Sequence, residues 1–371
     1  MLPSPLTITG MGMVTGLGGA VESCAAARAG LVRAAPLDIA VRDDASTDLL
    51  TILGRTAGDL TQGFSEVGMT TRLTSLALAD LFHRTPVEDG ELRDMAVILN
   101  LPSGYYLEQA DELTKKSTSP PSTPSETATS FEKSKPLYDA VIDKSFAALG
   151  KHAPPRTRQR VFFGDQAGID AVLSEAHRLL AEGVVTACLV GGVDSLALSQ
   201  WTTPCERLGI LKTPTRPVGL IPGEAGVFLL VEPARRKEEI RKSLGSIVKC
   251  EFSLDSRHRF SGQQPDGRIL ADLIRKCLAG GTGSPGLISD INGDPPRSTE
   301  LGHTLVRLRP DIEVAGTIVP ATTFGDTRAA SAFLGVCIAL RAFHRRYAPT
   351  SRFVVSAASD SGGRAALEVG A

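Results

Sequence analysis

Residues 164–196 read GDQAGIDAVLSEAHRLLAEGVVTACLVGGVDSL, a glycine-flanked turn, a helix, a strand and a second glycine turn in succession. Ile169, Val172, Leu173, Ala176, Leu179 and Leu180 recur at the three- and four-residue spacing of an amphipathic helix. VVTACLVGG then gives an uninterrupted apolar run of strand length, the pattern of a strand buried on both faces. A helix delivering its chain straight into a buried strand is the signature of α/β layers rather than of an all-helical or all-strand fold.

The same alternation extends outward. LTITGMGMVTGLGG begins the chain as a strand and Gly-rich turn, followed by a helix over about Ala20–Gly30; a second helix, Thr70–Phe82, leads to the strand MAVILNL. A helix near Leu137–Leu149 and the strand RVFF precede the quoted stretch, and GVFLLVEP follows it. Beyond this, LGSIVKCEF, an amphipathic helix over Gly267–Leu278, the short strands GLISDIN and VAGTIVP, a helix over Thr327–Phe343 and the strands SRFVVSAAS and RAALEV form a second series. Two segments break the pattern. Thr114–Lys135, rich in Ser, Thr, Pro and Lys, lacks the apolar content to offset its ordering entropy and reads as an exposed loop. Arg235–Lys242 reads as a charged surface helix or connector and divides the chain into similar halves, 1–235 and 236–371.

Composition narrows the class. With 371 residues and 42% hydrophobic content the chain can bury a large core. Forty basic against 41 acidic residues leave a net charge of -1, so no basic field argues for nucleic acid or a membrane surface. No basic n-region precedes an apolar run, and no apolar stretch is long enough to span a bilayer, so the expectation is a soluble cytoplasmic protein. The six cysteines form no CxxC or Cys–His ligand spacing, and Cys188 and Cys337 sit in apolar runs, as buried small hydrophobes do.

Several of these stretches, in order, resemble the β-ketoacyl synthases of the thiolase-like superfamily. ITGMGMVTGLG resembles that family's first strand and turn, GDQAGIDAVLSEAHRLLAEGVVTACLVGGVDSL its nucleophile-elbow helix and double-Gly turn, and TRPVGLIPGEAGVFLLVEP, in shortened form, its Arg-Pro…Gly-Glu…Gly segment. ISDINGDPPRSTELG and PATTFGDTRAASAFLGVCIAL resemble its two histidine loops, and SAASDSGGRAALEV its C-terminal strand pair. Each match alone is common Gly-rich punctuation; their order over nearly the whole chain carries the resemblance. It implies a five-layered α-β-α-β-α fold of two similar halves and a dimer.

The resemblance also implies a missing chemistry. Condensing enzymes use a thiolate at a helix N-terminus and two imidazoles that stabilise developing oxyanions. Without a gap, Asp165 stands at the cysteine position; with one gap Gln166 does, and GDQAG then resembles the GEQAG motif of chain-length-factor subunits. Asp294 and Asp326 stand for the histidines, Ala321 for the lysine and Ser359 for the gating phenylalanine. The expectation is a non-catalytic relative with no cofactor. If the fold holds, Asp165, Asp294 and Asp326 converge on one volume, where Ca²⁺ or Mg²⁺ is one reading and helix capping or the binding of backbone amides the commoner one. Of the remaining polar residues, His303 reads as solvent-facing or core-satisfied, Glu224 as a turn or interface residue, and Arg341, His344, Arg345 and Arg346 as the basic end of a helix. Trp201 reads equally as an interface anchor or as core.

Three functions follow from this reading. One is a dimeric interaction subunit, an adaptor or chaperone such as those accompanying type VI secretion effectors. Another is a chain-length-factor-like subunit that partners an active ketosynthase and meets a carrier protein. The third is new chemistry at the aspartates.

Overall fold

The computed structural model describes residues 4–42, 46–117, 126–234 and 241–371. Its strands are β1 (Leu6–Thr15), β2 (Ala35–Arg42), β3 (Leu49–Gly54), β4 (Met95–Leu101), β5 (Gln159–Phe163), β6 (Ala187–Ser195), β7 (Glu224–Pro233), β8 (Gly245–Leu254), β9 (Gly286–Ser289), β10 (Gly316–Ile318), β11 (Arg352–Ala358) and β12 (Gly363–Gly370). Its helices are α1 (Ala20–Ala29), α2 (Glu66–Arg84), α3 (Asp89–Leu92), α4 (Tyr105–Ser117), α5 (Glu126–Tyr138), α6 (Val141–Ala148), α7 (Ile169–Ala181), α8 (Ser199–Arg207), α9 (Arg268–Leu278), α10 (Pro295–Leu308), α11 (Ala321–Phe324) and α12 (Ser331–His344).

Ten strands run in the order β10-β9-β11-β12-β8-β1-β7-β6-β4-β5. The order reads identically from the middle outward: β1-β7-β6-β4-β5 in one direction and β8-β12-β11-β9-β10 in the other. Pair directions match as well. The first two pairings of each half are antiparallel and the last two parallel. The chain therefore holds two copies of one topology, joined where Leu6, Thr7 and Ile8 pair with Ile247, Ser246 and Gly245.

Three apolar cores separate the layers. Helix α7, with Ile169, Val172, Leu173, Ala176, Leu179 and Leu180 buried, packs on β4, β6, β7 and β8, so it touches both halves. Helix α12 does the same against β7, β11 and β12. Each fully buried aliphatic side chain contributes roughly 1.5–3 kcal/mol relative to exposure. A second core lies between the first half's strands and α2 and α6, and a third between α9, α10 and β12. The result is helix, sheet, helix, sheet, helix: the five layers expected from sequence. Where β1 meets α2, a Cβ on Gly12 would stand 2.3 Å from Ala77 O. No helix among the described residues is long and apolar enough to cross a membrane.

Three expectations are corrected. The segment 114–135 is not one exposed loop: Thr114–Ser117 end α4, and residues 126–135 belong to α5, while 118–125 lie outside the described residues. Phe131 and Tyr138 of α5 stack edge-on against Phe163 and against each other, and Phe131 against Trp201, burial that outweighs the polar composition. The helix expected over Leu137–Leu149 is divided between α5 and α6. Of the connector 235–242, residues 235–240 lie outside the described residues; Lys242 is exposed, but Arg241 is half-buried and held in place, pairing with Glu91 at 2.6 Å and Glu232 at 3.1 Å.

Candidate functional site

Strand β5 ends at Phe163, and the chain turns through Gly164 and Asp165 into a short 3-10 turn and then α7. Asp165 carries the strain of this turn, with φ 48° and ψ -142°. That region costs a side-chain-bearing residue of order 1–3 kcal/mol, and a sharp strand-to-helix elbow of this kind is where nucleophiles are presented. The elbow is packed tight: a Cβ on Gly168 would fall 2.2 Å from Asn100 Oδ1. Asn100 Nδ2 donates to Asp165 O at 2.7 Å and to Ala329 O at 3.0 Å, binding the elbow to the head of α12.

The Asp165 carboxylate is fully engaged. It accepts from Ser103 N at 2.8 Å and from the Ser103 hydroxyl, in the turn between β4 and α4. Burial raises its pKa, opposed by Arg328 and by the Ser103 bonds. Ser359 secures the other side of the elbow, its hydroxyl accepting from Ala167 N at 3.0 Å. Gln166 is buried and reaches Asp326 Oδ1 at 3.5 Å.

Beneath the elbow lies a sealed network of charge. Arg328, 1% exposed and itself at φ 32°, donates to Asp194 Oδ1 at 2.9 Å. Its guanidinium lies 4.5 Å from the Trp201 ring centre and 5.6 Å from that of Tyr106. Burial pushes Asp194 up to about 6, even though Arg328 opposes the shift. Tyr106 donates its hydroxyl to Asp360 at 2.7 Å, and Arg297 bridges Asp360 at 3.2 Å and Asp290 at 2.6 Å. The space left between Tyr105, Tyr106, Asp165, Gln166, Arg328 and Asp360 is about 10 Å³, room for one water molecule. Cys205 of α8 feels both Arg328 and the surrounding acids, but burial raises its thiol pKa well above the ordinary range and keeps it protonated.

The three aspartates each have their own donor. Asp294 pairs with Arg259 at 2.6 Å; Asp326 accepts from Asn292 Nδ2 at 2.6 Å and Arg328 N at 2.9 Å; Asp165 faces Ser103. Each carboxylate meets a different donor, which removes the mutual repulsion that a cation would have been needed to neutralise. Among the described residues no group of three or more His, Cys, Asp or Glu is arranged to hold a metal. Binding of backbone amides is met at two of the three, Asp165 accepting from Ser103 N and Asp326 from Arg328 N, while capping is only partly realised. Asp294 occupies the N-cap position of α10 without a side-chain cap bond, and Asp165 serves the Ser103 turn rather than its own helix.

Ala321 lies on α11 beside Asp326. His303 is exposed on α10. Glu224 is buried and accepts from Ala57 N, Thr61 Oγ1 and Ser195 Oγ. Trp201 is core, 3% exposed. Sequence reasoning missed Ser103, Tyr106, Asp194, Arg297, Arg328 and Asp360. The available signal was TFGDTRAASAFLGVCIAL, where one arginine heads an otherwise apolar helix.

No protein-family model and no curated protein matches the chain. Solved structures do. The ishigamide ketosynthase/chain length factor superposes with a TM-score of 0.64 at 20% identity, covering 98% of this chain and 99% of that one. An oxazolomycin ketosynthase domain from Streptomyces albus gives 0.71 at 15%, covering 99% and 75%. A type II polyketide synthase acyl-carrier protein in complex with its ketosynthase gives 0.71 at 12%, covering the whole of both chains. At these identities the likeness establishes the fold: this chain has the thiolase-like architecture of ketosynthases and chain length factors.

Proposed function

We propose that this chain is a non-condensing ketosynthase-like subunit that pairs with a second ketosynthase-like chain, in the manner of a chain length factor. The observation that carries the reading is the elbow. Asp165 holds the strained nucleophile position, its carboxylate is bound by Ser103, and the space below is filled by Arg328 and Trp201. A carboxylate nucleophile at such a position gives an acyl anhydride, too prone to hydrolysis to serve as a condensing intermediate. Asp294, Asp326, Ala321 and Ser359 supply neither the imidazoles nor the lysine and phenylalanine of the family pattern, and the space beside the elbow has room for about one water molecule.

The pairing rests on β5. It is the last strand of the ten and half-buried along its length, with Val161, Phe162 and Phe163 on it. Although Arg160 places a charge at its start, the last three residues are apolar, and an open strand edge is a template for a further strand. Two of the similar structures carry the words chain length factor, or pair a ketosynthase with a carrier protein, which supports a ketosynthase-like or carrier partner. The effector-adaptor reading draws no comparable support, since none of those structures names a secretion component. The test is release of carbon dioxide from a malonyl thioester by the purified chain. The expected rate equals that of Asp165→Ala; release that vanishes in Asp165→Ala overturns the proposal.

A further inference from the structure

The hairpin strand β3 and the loop after α8 line a pocket of about 300 Å³. Leu53, Pro214 and Ile221 give it apolar walls, and Arg55, Lys212 and Thr213 line the remainder. Neither the Arg55 nor the Lys212 side chain has a hydrogen bond or ion pair with any described residue. Arg55 Nε is shut off from solvent and still lacks an acceptor. Arg297 and Arg328 leave the same nitrogen without an acceptor, so what points to a ligand is not this atom but two cations without counter-ions lining one apolar-walled pocket. Leu53 is 54% exposed, and the neighbouring outward positions of β3, Leu49 and Thr51, are exposed too, which leaves an apolar lip at the mouth.

We infer that this pocket binds a small anionic amphiphile, a carboxylate on a short apolar stem. Its size and its mix of apolar wall with a few convergent polar groups are those of small-molecule sites. Two unpartnered cations set the sign of the ligand, and the planar guanidinium suits a carboxylate's paired oxygens. The apolar walls take the stem. The site is independent of the elbow's chemistry, yet it shares a wall with it. Arg55 N donates to Pro222 O at 2.8 Å, and Asp326 N donates to Ile221 O at 2.7 Å, so the residues 221–222 border both the pocket and the Asp326 turn.

The experiment is calorimetric titration of the full chain with hexanoate, with hexanol and inorganic phosphate as controls. The expected result is saturable hexanoate binding, weakened about tenfold or more in both Arg55→Gln and Lys212→Gln. Leu53→Glu, at an exposed position, is expected to abolish it by placing a carboxylate at the mouth. Hexanol and phosphate are expected to bind more weakly than hexanoate. Absence of saturable hexanoate binding overturns the inference, as does hexanoate affinity unchanged in all three variants. Equal affinity for hexanol overturns the anionic part, and equal affinity for phosphate the apolar part.

Discussion

Replacing Arg328 by methionine removes the guanidinium facing Asp194 and keeps an unbranched side chain of similar reach. Both partners are almost wholly buried, and the pair stands at 2.9 Å. Deleting one member of such a pair leaves an uncompensated buried charge, a cost of about 3–5 kcal/mol, and the stacking on Trp201 adds about 1–2 kcal/mol at most. The deficit depends on pH in a fixed direction. Burial raises Asp194 to about 6 with Arg328 present, above its ordinary unfolded value. A raised acid contributes stability that is full below the unfolded pKa and is lost as pH rises through the folded pKa. Without Arg328 the folded pKa rises further, so the variant continues to lose stability at pH values where the wild type has finished titrating. Between pH 5 and pH 7 the difference amounts to roughly one pH unit of linkage, on the order of 1 kcal/mol. Urea unfolding followed by circular dichroism at both pH values measures it, and adding Asp194→Asn to Arg328→Met is expected to recover part of the loss. A deficit under about 1 kcal/mol at pH 7, or one that is equal at both pH values, refutes the reasoning.

At the elbow, Asp165→Gly relieves the positive φ that Asp165→Ala retains, so the glycine variant is expected to be the more stable of the two by about 1 kcal/mol in the same unfolding assay; equal stabilities contradict the strain. Millimolar Ca²⁺ or Mg²⁺ is expected to leave the melting temperature unchanged, because each aspartate already has its donor; a rise that disappears in Asp326→Asn restores the metal reading. Val161→Lys, which adds a charge to the open edge strand, is expected to weaken assembly with the second ketosynthase-like chain, read by light scattering of the mixture, while leaving circular dichroism intact; an unchanged assembly moves the interface away from β5.

Legibility followed the strength of local pattern. Strand β4 coincides with the seven-residue apolar run MAVILNL, and α7 follows from its six periodic apolar residues, because burial on both faces or on one stripe writes itself into adjacent positions. The hairpin β2–β3 escaped notice although Leu37, Ile39 and Val41 alternate along β2; on β3, Leu49 and Leu53 face outward and blur the pattern. Helices α4 and α5 escaped because a few anchors, Tyr106, Leu107, Phe131 and Tyr138, hold segments that are otherwise polar. At the site, the degenerate stations were visible as residue types, but their partners were not. Ser103 lies 62 residues from Asp165 and Arg259 lies 35 from Asp294, so no spacing rule connects them. The metal reading was drawn for that reason: three aspartates were counted without the donors that each of them meets.

Native mass spectrometry of the tagged chain, recovered from the cells that produce it under mild salt, tests the pairing most directly. The account predicts a one-to-one assembly with a second ketosynthase-fold chain, one that carries a cysteine at the elbow position held here by Asp165. Recovery of this chain only as a monomer, or only with copies of itself, contradicts it.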